Sequence, residues 1–142
     1  TYAANPIGTR AGYEVMSIFD EERKELESEI ARKGAKFLDG LKALEKKYKN
    51  IGTVNGLGFA LSVEVTEADR FTPARELCDE IIEAGLKGDL TYKGKKCGLI
   101  LNNGGYFKNI ITLVPQLYIS DEEIDMALEL MDQLFDRYME KA

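Results

Sequence analysis

Apolar residues recur at helical spacing through the first third of the chain and again near its C-terminus, and between these stretches they alternate. Over residues 6–19, Pro6 suits a first helical turn, and Ala11, Val15, Ile18 and Phe19 follow at helical intervals. Asp20, Glu21 and Glu22 predict the acidic opening of a second helix. Its apolar stripe is Leu26, Ile30, Phe37, Leu41, Leu44 and Tyr48, with Arg23, Glu27, Arg32, Lys36, Lys42 and Glu45 on the other face. Gly34 and Gly40 weaken that helix, each by ~1 kcal/mol relative to alanine.

The period then changes. Phe59, Leu61, Val63 and Val65 alternate with more polar positions and predict a strand. The glycines before it, at 52, 56 and 58, predict a bend or bulge where backbones approach closely. They are not a phosphate loop, because Gly56-Leu57-Gly58 leads into a strand rather than a helix. Thr72-Pro73 predicts a helix start, with Leu77, Ile81 and Ile82 on its apolar side and Gly85 ending it. A short strand is expected at residues 99–101, a turn at residues 102–105, and another strand at residues 110–114 closed by Pro115. Ser120 and Glu123 form a capping box ahead of Ile124, Ala127, Leu128, Met131, Leu134, Phe135 and Tyr138. That final helix should run about five turns at ~3.6 residues each. The order of elements predicts an α+β fold of two layers, a small antiparallel sheet covered by helices.

At 142 residues the chain is the size of one domain. Its 44% apolar and 31% charged residues are ordinary for a globular protein. The net charge of −6 argues against nucleic acid and anionic membranes as partners. No apolar run approaches the ~20 residues of a membrane span, and no leader pattern is present at residue 1, so a cytoplasmic location is expected. With no histidine and two separate cysteines, Cys78 and Cys97, a structural zinc site is not expected.

Residue types alone point to little chemistry. The carboxylates lie on polar helix faces. Lys93, Lys95 and Lys96 fall in a polar, glycine-flanked turn, whereas a Schiff-base lysine is normally held in a desolvated pocket. Thr1 could serve as an N-terminal nucleophile only within stacked sheets, and this chain is too helical for that.

Three stretches together resemble one family. TYAANPIG at residues 1–8 resembles the T-[FY]-x-x-N-P-[LIV] segment of class III aminotransferases, which begins the helix joining their large and small domains. IGTVNGLGF at residues 51–59 resembles their I-G-D-V-R-G-x-G-L segment. NIITLVPQLYISDEEI at residues 109–124 resembles their N-V-I-R-[LF]-x-P-P-L-x-I-[ST]-x-E-E-[IL] ending. Order and spacing also agree, and the likeness covers essentially the whole chain. Within that family it is similar to the ornithine, diaminobutyrate and 4-aminobutyrate aminotransferases.

The resemblance implies the following. Residues 1–142 would be one C-terminal small domain of a fold-type I enzyme, including the long inter-domain helix at about 6–19. The large cofactor-binding domain, with the Schiff-base lysine, would precede it, so no catalytic residue is carried onto this chain. The cofactor would be pyridoxal 5'-phosphate. The substrates would be an amino acid or amine and a 2-oxo acid, and the full enzyme would be a homodimer. Thr1 matches the family threonine that donates to the cofactor phosphate of the neighbouring subunit. Thr112 stands where many members carry a substrate-clamping arginine, which forms two parallel bonds to a carboxylate. Asn55 and Gln116 also depart from the pattern, replacing an arginine and a proline. Racemases, epimerases and decarboxylases share the family, and a non-catalytic binding module of the same fold is the further alternative. The isolated chain is expected to be inactive.

Overall fold

The computed structural model describes residues 5–142. A single helix, α1 (Pro6–Lys47), replaces the two helices expected from the sequence. The acidic run at residues 20–22 does not open a new helix, because no glycine, proline or capping residue there interrupts the backbone ladder. The run instead lies on the surface, where Glu22 accepts from the Tyr118 hydroxyl at 2.8 Å. Asn5 caps α1, its Oδ1 accepting from the Ile7 and Gly8 amides at 3.0 and 3.4 Å.

After α1 come β1 (Ile51–Leu57), β2 (Ala60–Val65) and α2 (Arg75–Leu86). A hairpin, β3 (Leu90–Tyr92) and β4 (Lys95–Cys97), precedes β5 (Asn102–Gly104), β6 (Ile110–Leu113) and α3 (Asp121–Tyr138). The main sheet has the order β1-β2-β6-β5 and is antiparallel throughout. A register shift between Ile51 and Val54 supplies the irregularity anticipated before β2.

All three helices contribute to one core against one face of this sheet. Leu61, Val63 and Val65 of β2 and Ile111 of β6 share this core with Leu41 of α1, Tyr48 at its C-cap, Ile81 of α2 and Leu134 of α3. Tyr48 stacks edge-on to Phe135, ring centres 5.8 Å apart, and its hydroxyl donates to Asp132 Oδ1 at 2.7 Å. Gly34, costly to the helix by propensity, is buried where a Cβ would run into the Gly58 carbonyl oxygen. The glycine therefore lets α1 lie directly on the β1–β2 turn.

Several local expectations are revised. Residues 99–101 form no strand, and Asn102–Gly104, expected as a turn, form β5. Pairing of Asn102 with Thr112 and of Gly104 with Ile110 overrides the turn preference of Asn-Asn-Gly, and the turn begins at Gly105, whose φ is +78°. Thr72-Pro73 does not start α2. Thr72 closes a turn on Asp69, its amide and hydroxyl donating to that carboxylate at 2.8 and 2.6 Å, and α2 begins at Arg75 without a side-chain cap. Gly85 lies within α2, where its carbonyl accepts from the Leu99 amide at 2.9 Å. Of the lysines expected in a turn, only Lys93 is there, and Lys95 and Lys96 belong to β4.

The capping box forms as expected. Ser120 Oγ accepts from the Glu123 amide at 3.1 Å, and Glu123 accepts from the Ser120 amide at 2.7 Å. An ionic joint fixes the start of α3 to α1. Arg32 donates twice to Asp121, at 3.1 and 2.8 Å, and twice to Glu29, at 3.2 and 3.1 Å, while Lys36 pairs with Asp125 at 2.8 Å. The Arg32 guanidinium, foremost by hydrogen bonding, holds the carboxyls of Glu29 and Asp121 down to about 2.

Candidate functional site

The helices cover one face of the sheet and leave the other open. Residues of β2 that alternate with the buried set, Ser62 and Glu64, point to the open face, and cross-strand pairing extends this into rows. Asn55 pairs with Ser62, Ser62 with Thr112, and Thr112 with Asn102. A row of four uncharged polar side chains thus crosses all four strands.

On one side of this row the face is apolar. Leu57 pairs with Ala60 at the tip of the β1–β2 hairpin, and Val114 and Ile100 continue the band, with exposures of 88% for Leu57, 73% for Val114 and 85% for Ile100. On the other side Glu64 pairs with Ile110, and Ile110 with Gly104. A cleft of about 410 Å³ opens between the start of the edge strand β5 and the end of its neighbour β6, lined by Ile100, Asn102, Thr112 and Val114 together with Phe37 and Met131 of the helical side.

Thr112 is the one expected site residue that falls among the described residues. It sits mid-sheet, exposed, and its hydroxyl makes no hydrogen bond to another described residue. Thr1, the expected cofactor contact, lies outside the described residues. Asn102, which the sequence presented only as part of a turn, joins Thr112 through the register of β5 and β6. Ser62 and Glu64 could have been found from the alternation of β2, which already assigned them to the face opposite Leu61 and Val63.

Among the described residues no lysine is buried. Lys93 pairs with Glu122 at 2.6 Å, and that hydrogen bond raises its ammonium pKa, the opposite of what a Schiff-base amine requires. Burial pushes the Cys78 thiol up to about 11, which leaves it an inert core group. Among the described residues there is no cluster of three or more potential metal ligands and no helix long and apolar enough to cross a membrane.

Known proteins resemble this chain in sequence and fold. The 4-aminobutyrate aminotransferase of Escherichia coli is 34% identical over 137 residues, a match covering 96% of this chain and 30% of that protein. The 5-aminovalerate aminotransferase of Pseudomonas putida is 32% identical over 135 residues, covering 95% of this chain and 29% of that protein. A solved phospholyase from Arthrobacter, in complex with phosphoethanolamine, superposes with a TM-score of 0.72 at 25% identity, covering 94% of this chain and 30% of that one. The chain thus spans about 30% of the length of the curated relatives it matches. The family described as "Aminotransferase class-III" matches residues 1–135, and with the sheet order, the long leading helix and the open polar face this chain belongs to the class III aminotransferases.

Proposed function

We propose that residues 1–142 are the small domain of a pyridoxal-phosphate-dependent aminotransferase, which moves an amino group between an amine or amino acid and a 2-oxo acid. The observation that carries this reading is the open sheet face of a class III chain, with Thr112 free at its centre. The cofactor supplies the electron sink, and this chain supplies one wall of the substrate cleft. Thr112 presents a hydroxyl to the substrate there. Thr1 donates to the cofactor phosphate across a homodimer interface.

The leading half of α1 supports docking onto the rest of the enzyme. Ile7, Tyr13, Val15, Met16 and Ile18 are all exposed on it, and Gly12 has open space where a Cβ would stand. A helix with that much bare apolar surface is suited to burial against a neighbouring domain or subunit. The two free thiols suit a reducing, cytoplasmic setting.

The test is a visible absorption spectrum of the full-length protein, before and after addition of candidate amines. The reading expects cofactor absorbance that shifts with amine and returns on adding a 2-oxo acid. A full-length protein without cofactor absorbance would identify a binding module instead. Inversion of an amino acid without oxo-acid product would identify isomerase chemistry. For Thr1, the Thr1→Ala variant should bind the cofactor roughly ten- to a hundredfold more weakly, since a hydrogen bond to a charged group contributes ~1.5–3 kcal/mol. Unchanged cofactor affinity would rule that role out.

A further inference from the structure

We propose that Tyr118 and Glu22 are positioning residues: their hydrogen bond sets the direction in which the leading half of α1 leaves the domain, and with it the place of the cleft wall against whatever docks on that half. This rests on the reading that the leading half of α1 docks onto the rest of the enzyme. It assigns a role to two residues outside the cleft.

Helix α1 divides into a free part and a held part. Leu26 is its first buried residue. Residues 6–21, ~24 Å of helix, make no hydrogen bond or ion pair to another element among the described residues. Behind Leu26 the helix is tied repeatedly, Arg32 to Asp121, Lys36 to Asp125 and Lys47 to Asp132. Ahead of Leu26 a single polar tie stands among the described residues. The Tyr118 hydroxyl donates to Glu22 Oε2 at 2.8 Å, across 96 residues of sequence.

The loop between β6 and α3 carries both ends of the link. Val114, Pro115 and Ile119 line the cleft, while Leu117 and Tyr118 line a shallow groove with Leu26, Glu29 and Lys33 of α1. This loop and the helix it leads into are thus fixed to α1 by two polar anchors, Tyr118 on Glu22 and Asp121 on Arg32. At ~1.5 Å per residue the two anchors stand ~15 Å apart along the helix. One anchor leaves a helix free to pivot about it, and a second one at that distance fixes its direction. Without the Tyr118 hydroxyl the nearest polar anchor is Asp121, and the leading half gains freedom to swing. The orientation that completes the cleft then becomes one of several, and apparent affinity for the amine falls with the fraction of molecules that hold it.

The experiment uses the full-length holoenzyme, with 4-aminobutanoate and 5-aminopentanoate as amines. Tyr118→Phe, which removes only the hydroxyl, should raise KM for the amine about two- to tenfold, the worth of one hydrogen bond, with kcat held within about twofold. Glu22→Ala should do the same, and Glu22→Gln, which keeps an acceptor, should stay near the wild type. The double variant Tyr118→Phe/Glu22→Ala should be no worse than either single one. A merely structural contact would lower Tm and leave KM alone. An unchanged KM in Tyr118→Phe, or additive effects in the double variant, overturns the inference. Hydrogen–deuterium exchange gives a second readout that needs no turnover: amides of residues 19–25 and 114–119 should exchange at least about threefold faster in Tyr118→Phe. Unchanged exchange there overturns it equally. A full-length protein without cofactor absorbance fails the functional reading instead, and the exchange result alone then decides between a latch and an idle surface contact, as it does if neither amine reacts.

Discussion

The two faces of one four-stranded sheet are built from the same strands and obey opposite rules. On the inner face Leu61, Val63, Val65 and Ile111 are each no more than 2% exposed and sit against three helices. On the outer face Ser62, Glu64 and Thr112 alternate with them one residue away, and no element among the described residues covers them. The inner face is constrained by packing density, and the outer face is constrained only by what it must meet. Two of the chain's departures from its family's pattern, Thr112 and Asn55, fall on the outer side, and the third, Gln116, lies in the loop between β6 and α3.

The sharpest way to break this contrast is to put a charge on the wrong side. Val63→Asp should unfold the domain or destabilise it by more than ~4 kcal/mol in urea denaturation, since a buried unpaired carboxylate has no compensation there. Gly34→Ala comes next. Its methyl would meet the backbone of Gly58 rather than a yielding side chain, so a loss of ~1–3 kcal/mol is expected. Ser120→Ala removes the capping box of α3 and should cost ~1 kcal/mol.

The smallest effect is electrostatic. Glu29 and Asp121 are held down to about 2 by Arg32, below the ordinary ~4 of a carboxylate. Lowered pKa values mean that their contribution is fully present above about pH 4 and is lost as pH falls through about 2. Both groups are exposed and screened, so the effect on Tm should be slight, and Arg32→Ala should flatten the pH dependence in that window.

Much of the inner face was legible in the sequence, because burial writes a period. The stripe of α1 from Leu26 to Tyr48, the alternation of β2 and the capping box of α3 all follow from residue spacing. The sequence misled where tertiary contact decides. Asn102–Gly104 has turn composition and becomes a strand because β6 lies beside it. Asp20-Glu21-Glu22 resembles a helix start and lies mid-helix because nothing breaks the chain there. Thr112 could be singled out only by resemblance to the family. Its neighbours Ser62 and Asn102 needed the strand register, which no local pattern records.

If the outer face meets the substrate, a crystal structure of the full-length enzyme with a bound substrate amine will show it. The claim predicts the Thr112 hydroxyl within hydrogen-bonding distance of the ligand, ~2.7–3.2 Å, and the row from Ser62 to Asn102 turned into the cleft. A bound ligand reached from elsewhere, with Thr112 facing bulk solvent, would contradict it.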